Sequence, residues 1–212
     1  KEKKSKKFTS KFRNMNPIIK AFDTKNLSQI VDFVKPMWSF SEWEDNFRRF
    51  YVEIILRNSF FENGLAFQIT DNENPQRLCS AMFFQKKSDS NNLQKWLLEN
   101  SENFSEAQKQ SVNLCAEYLE FMDSKVHTLM TQNDIKLSLF VGLKKGFGSV
   151  IFGELWNYLK NHGYKNMYLW TDCECNWKWY LKEGFSLIEE IVYEKFNDEN
   201  GEYKAYIFKK AF

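Results

Sequence analysis

With 212 residues, 43% hydrophobic and 17% aromatic, the chain can bury one sizeable core, which excludes general disorder. A formal net charge of +2 is close to neutral, so the overall balance calls for neither nucleic acid nor an anionic membrane. No apolar run approaches the roughly 18 residues of a membrane helix, and no signal-peptide pattern opens the chain. Cys173 and Cys175 are separated by one residue, while Cys79, Cys115, His127 and His162 lie far off. That spacing does not suit zinc, so reduced thiols in a cytoplasmic protein without a metal are the expectation.

The opening "KEKKSKKFTSKFRN" (Lys1–Asn14) is a charge run without periodicity and reads as a solvated, flexible basic tail rather than a nucleic-acid contact. The chain does not open on Met, which leaves room for residues before Lys1. One domain is expected over 15–212, and its first strand is "PIIKAF" (Pro17–Phe22). In "TKNLSQIVDFVKPMW", Leu27, Ile30, Val31 and Val34 fall at helical spacing and Pro36 is expected to stop the run. "SEWE" (Ser41–Glu44) has the capping-box pattern and opens a second helix, with Trp43, Phe47, Phe50, Tyr51, Ile54 and Ile55 on one face. "GLAFQIT" and "RLCSAMFFQKK" then read as a hairpin around "DNENPQ".

From Ser88 to Asp134 the pattern turns helical. "NLQKWLLEN" is a short helix, and "SEAQ" (Ser105–Gln108) caps a long one striped by Leu114, Cys115, Tyr118, Leu119, Met122 and Val126. "IKLSLFV" (Ile135–Val141) is a strand, "NMYLWTD" another, and a short helix crosses "CNWKWYLKE". "FSLIEEIVYEKF" and "EYKAYIFKKAF" close the chain as an antiparallel pair. The order is β-α-α-β-β, a helical block at 88–134, then β-α-β-α-β-β, which makes the fold class mixed α/β.

Of only 8 glycines, four fall in "GLKKGFGSVIFG" (Gly142–Gly153), between a strand and an amphipathic helix. Neither the Walker pattern nor the dinucleotide G-x-G-x-x-G fits in register. What remains is Lys144-Lys145, then Gly146-x-Gly148-Ser149 entering a helix. Bare amides and two ammonium groups at a helix N-terminus suit a pyrophosphate, and a tight turn explains the glycines equally well.

The second clue is "LWTDCECNWKWYLKEGF" (Leu169–Phe185), about one helix downstream. A strand ending in G-x-G at a helix start, then "TD", "CN" and an aromatic pair ending in Tyr before "GF", resembles the GNAT superfamily of acyl-CoA-dependent N-acetyltransferases. The likeness covers Ile135–Phe185 by motif and Pro17–Lys87 by topology, and leaves 88–134 as a helical insertion between the third and fourth strands. It implies a mixed central sheet flanked by helices, with acetyl-CoA as cosubstrate and no metal.

In that family two parallel strands splay and the pantetheine arm pairs with the first, which implies contacts with Phe140 and Val141. Pyrophosphate would meet Lys144, Lys145, Gly146, Phe147, Gly148 and Ser149, with Gly146 and Gly148 small so that amides can approach it. Tyr180 matches the tyrosine that protonates the leaving thiolate, a role suited to a phenol that is neutral at pH 7. Asn176, one helical turn earlier, would face the cofactor with it, and Asp172 reads as a helix cap rather than a base. Two departures stand out. Leu143 occupies a position usually Gln or Arg, and "IKLSLFV" lacks the carboxylate that some members use as a base.

The resemblance implies acetyl transfer to a primary amine of a small molecule by direct attack in a ternary complex. Phe60, Phe61 and Trp96 are candidates to line the acceptor site, with core packing the favoured alternative for each. A non-catalytic acyl-CoA-binding or interaction module is the alternative. No membrane partner is expected, nucleic acid is a distant third reading, and a homodimer stays open.

Overall fold

The computed structural model describes residues 19–61, 64–199 and 201–212. The basic run Lys1–Asn14, and Pro17 and Ile18 of the expected first strand, lie outside the described residues. Among the described residues, seven strands form one sheet in the order β1-β2-β3-β4-β5-β7-β6. They are β1 (Ile19–Ala21), β2 (Leu65–Thr70), β3 (Leu78–Lys86), β4 (Ile135–Gly142), β5 (Asn166–Asp172), β6 (Ser186–Val192) and β7 (Lys204–Ala211). Every pairing is antiparallel except β4 with β5.

Helices cover both faces. On one lie α5 (Phe147–Asn161) and the short α6 (Lys178–Lys182). Ile151, Phe152, Leu155 and Leu159 of α5 bury against Met82, Leu137, Leu169 and Phe208. On the other lie α1 (Leu27–Trp38), α2 (Asp45–Ser59), α3 (Leu93–Asn100) and α4 (Glu106–Leu129). The pair α3 and α4 is the insertion between β3 and β4. Ser105 and Gln108 form a reciprocal capping box, which starts α4 where its sequence directs.

Two helix boundaries depart from expectation. Pro36 lies inside α1, which continues to Trp38. A proline this close to the C-terminus costs only one intrahelical bond, and the Ser39 hydroxyl takes the Lys35 carbonyl at 2.6 Å. The Ser41–Glu44 capping box does not form. Ser41 Oγ instead donates to the Glu42 carboxylate at 3.1 Å, and α2 starts at Asp45, which pairs with Lys35 of α1. Trp43, ahead of the helix, packs on Phe47 and Tyr51 at 4.8 and 5.0 Å. The α1–α2 contacts set the helix start.

The insertion is bound into the sheet by a buried polar network. Lys136 of β4, 2% exposed, pairs with Asp123 of α4 and donates to Gln85 of β3 at 3.1 Å. Trp170 of β5 donates its indole N–H to Asp123 at 2.6 Å, and Asn58 of α2 donates at 3.0 Å. One carboxylate thus ties α4 to two strands and to α2.

Candidate functional site

β4 and β5 pair only at Ile135↔Met167 and Lys136↔Tyr168. Beyond that point β4 keeps its ladder with β3 as far as Gly142, and β5 keeps its ladder with β7 as far as Asp172. The two parallel strands therefore part, and each is held by its other neighbour. A register shift between Phe83 and Phe84 sets Ser138 out of the β3 ladder, a bulge at the start of the parting.

At the head of the parting stands the glycine turn. Gly146 caps α5 with φ of 90°, a conformation that glycine adopts without penalty. Leu143 and Lys144 donate their amides to the Cys79 carbonyl, both at 2.9 Å, and Phe147 donates to the Lys144 carbonyl at 3.1 Å. Among the described residues, no backbone carbonyl takes the amides of Lys145, Gly146, Gly148 or Ser149. A cluster of unbonded N–H groups at the N-terminus of a 15-residue helix is suited to an anion.

Gly148 has a second reason to be small. A Cβ there would lie 3.0 Å from Cζ and 3.3 Å from Cε2 of Phe140. Gly148→Val is therefore expected to lower both the melting temperature and the affinity for CoA. A melt unchanged from wild type, with CoA affinity lost, would show that the ring yields and that only the amides matter.

The other residues named from the sequence divide. Phe140 points to the α5–α6 face, its ring 5.3 Å from Trp179 and 6.4 Å from Phe152. Val141 is buried on the opposite face, and its carbonyl accepts from Ser80 Oγ at 2.8 Å. Lys144 is engaged, since its ammonium pairs with Asp71 at 2.8 Å. That bond raises the Lys144 pKa and lowers that of Asp71. Lys145 and Ser149 are exposed. The Phe147 ring is core, 3% exposed.

Tyr180 sits in α6 with its ring against Trp179, Phe185 and Phe208 at 5.2, 5.7 and 5.8 Å. Among the described residues its hydroxyl has no hydrogen-bond partner. Burial, and then the nearby Cys175 thiol, push its pKa up, so it stays a protonated donor at neutral pH. Asn176 precedes α6 rather than belonging to it. It is exposed in the turn, and its carbonyl accepts from the Trp179 amide at 3.1 Å. Asp172 is not a helix cap either: it closes β5 and accepts from the Glu174 amide at 3.2 Å.

Phe60, Phe61 and Trp96 do share a cleft, of about 390 Å³, with Arg57 and the Ser88–Leu93 segment. The Arg57 guanidinium stacks over Trp96 at 4.5 Å and is held by Glu53. This cleft, however, borders the starts of β2 and α3 and the end of β3, where β4 begins. The glycine turn is at the far end of β4.

No protein-family profile and no curated protein matches the chain. Solved structures do. An arylalkylamine N-acetyltransferase-like 5b from mosquito superposes with a TM-score of 0.51 at 11% identity, over 92% of this chain and 99% of that one. Arylalkylamine N-acetyltransferase 2 from Aedes aegypti gives 0.51 at 12%, over 92% and 99%. NAA60 from Arabidopsis thaliana, solved with a bisubstrate analogue, gives 0.51 at 9%, over 92% and 97%. The chain has the fold of the GNAT N-acetyltransferases. Among the described residues, no helix is long and apolar enough to cross a membrane.

Proposed function

We propose that the protein transfers an acetyl group from acetyl-CoA to a primary amine of a small molecule by direct attack in a ternary complex. The observation that carries this reading is the cluster of unbonded amides at Lys145, Gly146, Gly148 and Ser149, heading two parallel strands that part after Lys136 and Tyr168. The amides and the Lys145 ammonium would bind the pyrophosphate. The edge of β4 at Phe140 and Val141 that β5 leaves unpaired would receive the pantetheine arm. Asn176, exposed ahead of α6, would face the cofactor. Tyr180 would give its proton to the departing thiolate as the C–S bond breaks. A small-molecule acceptor is supported by the like folds named for arylalkylamines.

The test is a melt followed by a rate. Saturating acetyl-CoA is expected to raise the melting temperature, because a ligand at 100 times its Kd adds about 2.7 kcal/mol to a fold that alone binds it. At this size that corresponds to roughly 5–11 °C. An unchanged melt with both CoA and acetyl-CoA sinks the proposal. Binding with no CoA release across a panel of primary amines would support a non-catalytic acyl-CoA-binding module, a reading that Leu143 at a normally polar position favours.

A further inference from the structure

The acetyl-transfer reading leaves the amine without a base. β4 carries no carboxylate, and its one buried cation, Lys136, is committed to Asp123. The other parted strand does carry one. Side chains alternate along β5: Met167 and Leu169 pack on the α5–α6 face, Tyr168 and Trp170 on the α4 face. Asp172, its last residue, continues the second series at the mouth of the parting. Tyr180 belongs to the first face. An acid for the leaving thiolate and a carboxylate thus stand on opposite faces of the sheet, the carboxylate at the end of a parted strand.

The surroundings of Asp172 also point to a missing ligand. Tyr118 of α4 is 4% exposed, and among the described residues its buried hydroxyl makes no geometric hydrogen bond, with the Tyr203 hydroxyl the group nearest to serving it. Its ring lies 5.7 Å from Tyr203, ahead of β7, and the Tyr203 hydroxyl lies against the Asp172 carboxylate. An unpaired buried hydroxyl costs about 1–3 kcal/mol, a cost that a polar ligand at that position would remove. The groups bearing on the carboxylate are Tyr118 from α4, Tyr203 on the approach to β7, and Cys175 from the following turn, while Tyr206 of β7 lies on the other face, against Trp177. The Lys204 ammonium is turned away, to Glu190 and Glu202. Burial is the largest influence on Asp172 and pushes its pKa up.

We propose that Asp172 is the base of the reaction, binding the acceptor as a primary ammonium beside Tyr118 and Tyr203 and removing its proton. The balance is straightforward. The ammonium N–H proton passes to the carboxylate, and the freed lone pair forms the C–N bond at the thioester carbonyl. The C–S bond then breaks, and the thiolate takes the Tyr180 proton. The nitrogen sheds its remaining extra proton to water, Asp172 returns its proton to solvent, and Tyr180 recovers one from it. The site faces α4, so the amine enters from the side of the insertion and not through the Phe60–Trp96 cleft. A raised carboxyl pKa makes such a base a better proton acceptor, active above that pKa and silent below it.

This inference rests on the acetyl-transfer reading, and its test separates the two. Acetyl-CoA binding is measured by calorimetry. CoA release is then followed with n-butylamine and 2-phenylethylamine from about pH 6 to about pH 10, for wild type and Asp172→Asn. The variant keeps the side-chain oxygen that accepts from Glu174 and should bind acetyl-CoA as wild type does. At neutral pH its rate is expected to fall by about 10²–10⁴-fold. The deficit should narrow as pH approaches the amine's own pKa, about 10 for a lysine-like ammonium, where the free amine needs no base. Equal rates, or a deficit constant with pH, overturn the assignment. Acetyl-CoA binding without turnover of either amine by wild type overturns the acceptor site and leaves the cofactor reading standing. Failure to bind acetyl-CoA removes both.

Discussion

Tyr180→Phe is expected to lower turnover by about 10²–10⁴-fold while acetyl-CoA affinity changes little, because a positioned acid acts on the thiolate that forms only as the bond breaks. The substitution removes one oxygen and keeps the ring against Trp179, Phe185 and Phe208. Since that hydroxyl has no hydrogen-bond partner among the described residues, the fold loses nothing by its removal. The melting temperature should hold or rise slightly, which a structural tyrosine would not allow. Turnover within a factor of about three of wild type, against a typical acid contribution of 10²–10⁴, would remove Tyr180 from the mechanism.

The largest expected effect on stability lies in the buried network. Asp123→Ala leaves the Lys136 ammonium buried at 2% exposure without its counter-charge and strips the Trp170 and Asn58 donors of their acceptor. Breaking one partner of a buried pair typically costs 3–5 kcal/mol, which at this size is a fall of roughly 6–20 °C in melting temperature. Replacing both charges, Asp123→Leu with Lys136→Met, should restore much of the loss, because neither charge then needs solvation. Chemical denaturation of the two variants decides the matter. A loss below about 1 kcal/mol for Asp123→Ala would mean that water reaches Lys136.

This network marks the limit of what the sequence could tell. In "IKLSLFV" the alternation of Ile135 and Leu137 marks a strand with an apolar face and sets Lys136 on the other one. That face is covered by α4, and nothing local to β4 records the covering. The two Ser-x-x-Glu/Gln patterns teach the same lesson. Ser105 caps its helix because α4 begins in the open, whereas Ser41 loses to the packing of Trp43 and the pairing of Asp45 with α1. The strands and their order were legible because periodicity and turn residues are local. The glycine turn was also legible. The packing demand on Gly148 was not, because it comes from the Phe140 ring across the turn. Asp172 was misread as a helix cap because its partners, Tyr118 and Tyr203, lie on elements distant in sequence.

β7 is synthesised after both β5 and β6, yet it lies between them in the sheet. Until Lys204–Ala211 emerge from the ribosome, β5 has two residues of ladder with β4 and otherwise two open edges. Such edges pair readily with other chains. A nascent or truncated chain that stops before β7 is therefore an aggregation hazard, whatever the quality of its helices. The finished chain needs the same strand for another reason. A cleft between two parallel strands is tenable only if each is anchored elsewhere, and β7 is the anchor that leaves β5 free to stand apart from β4.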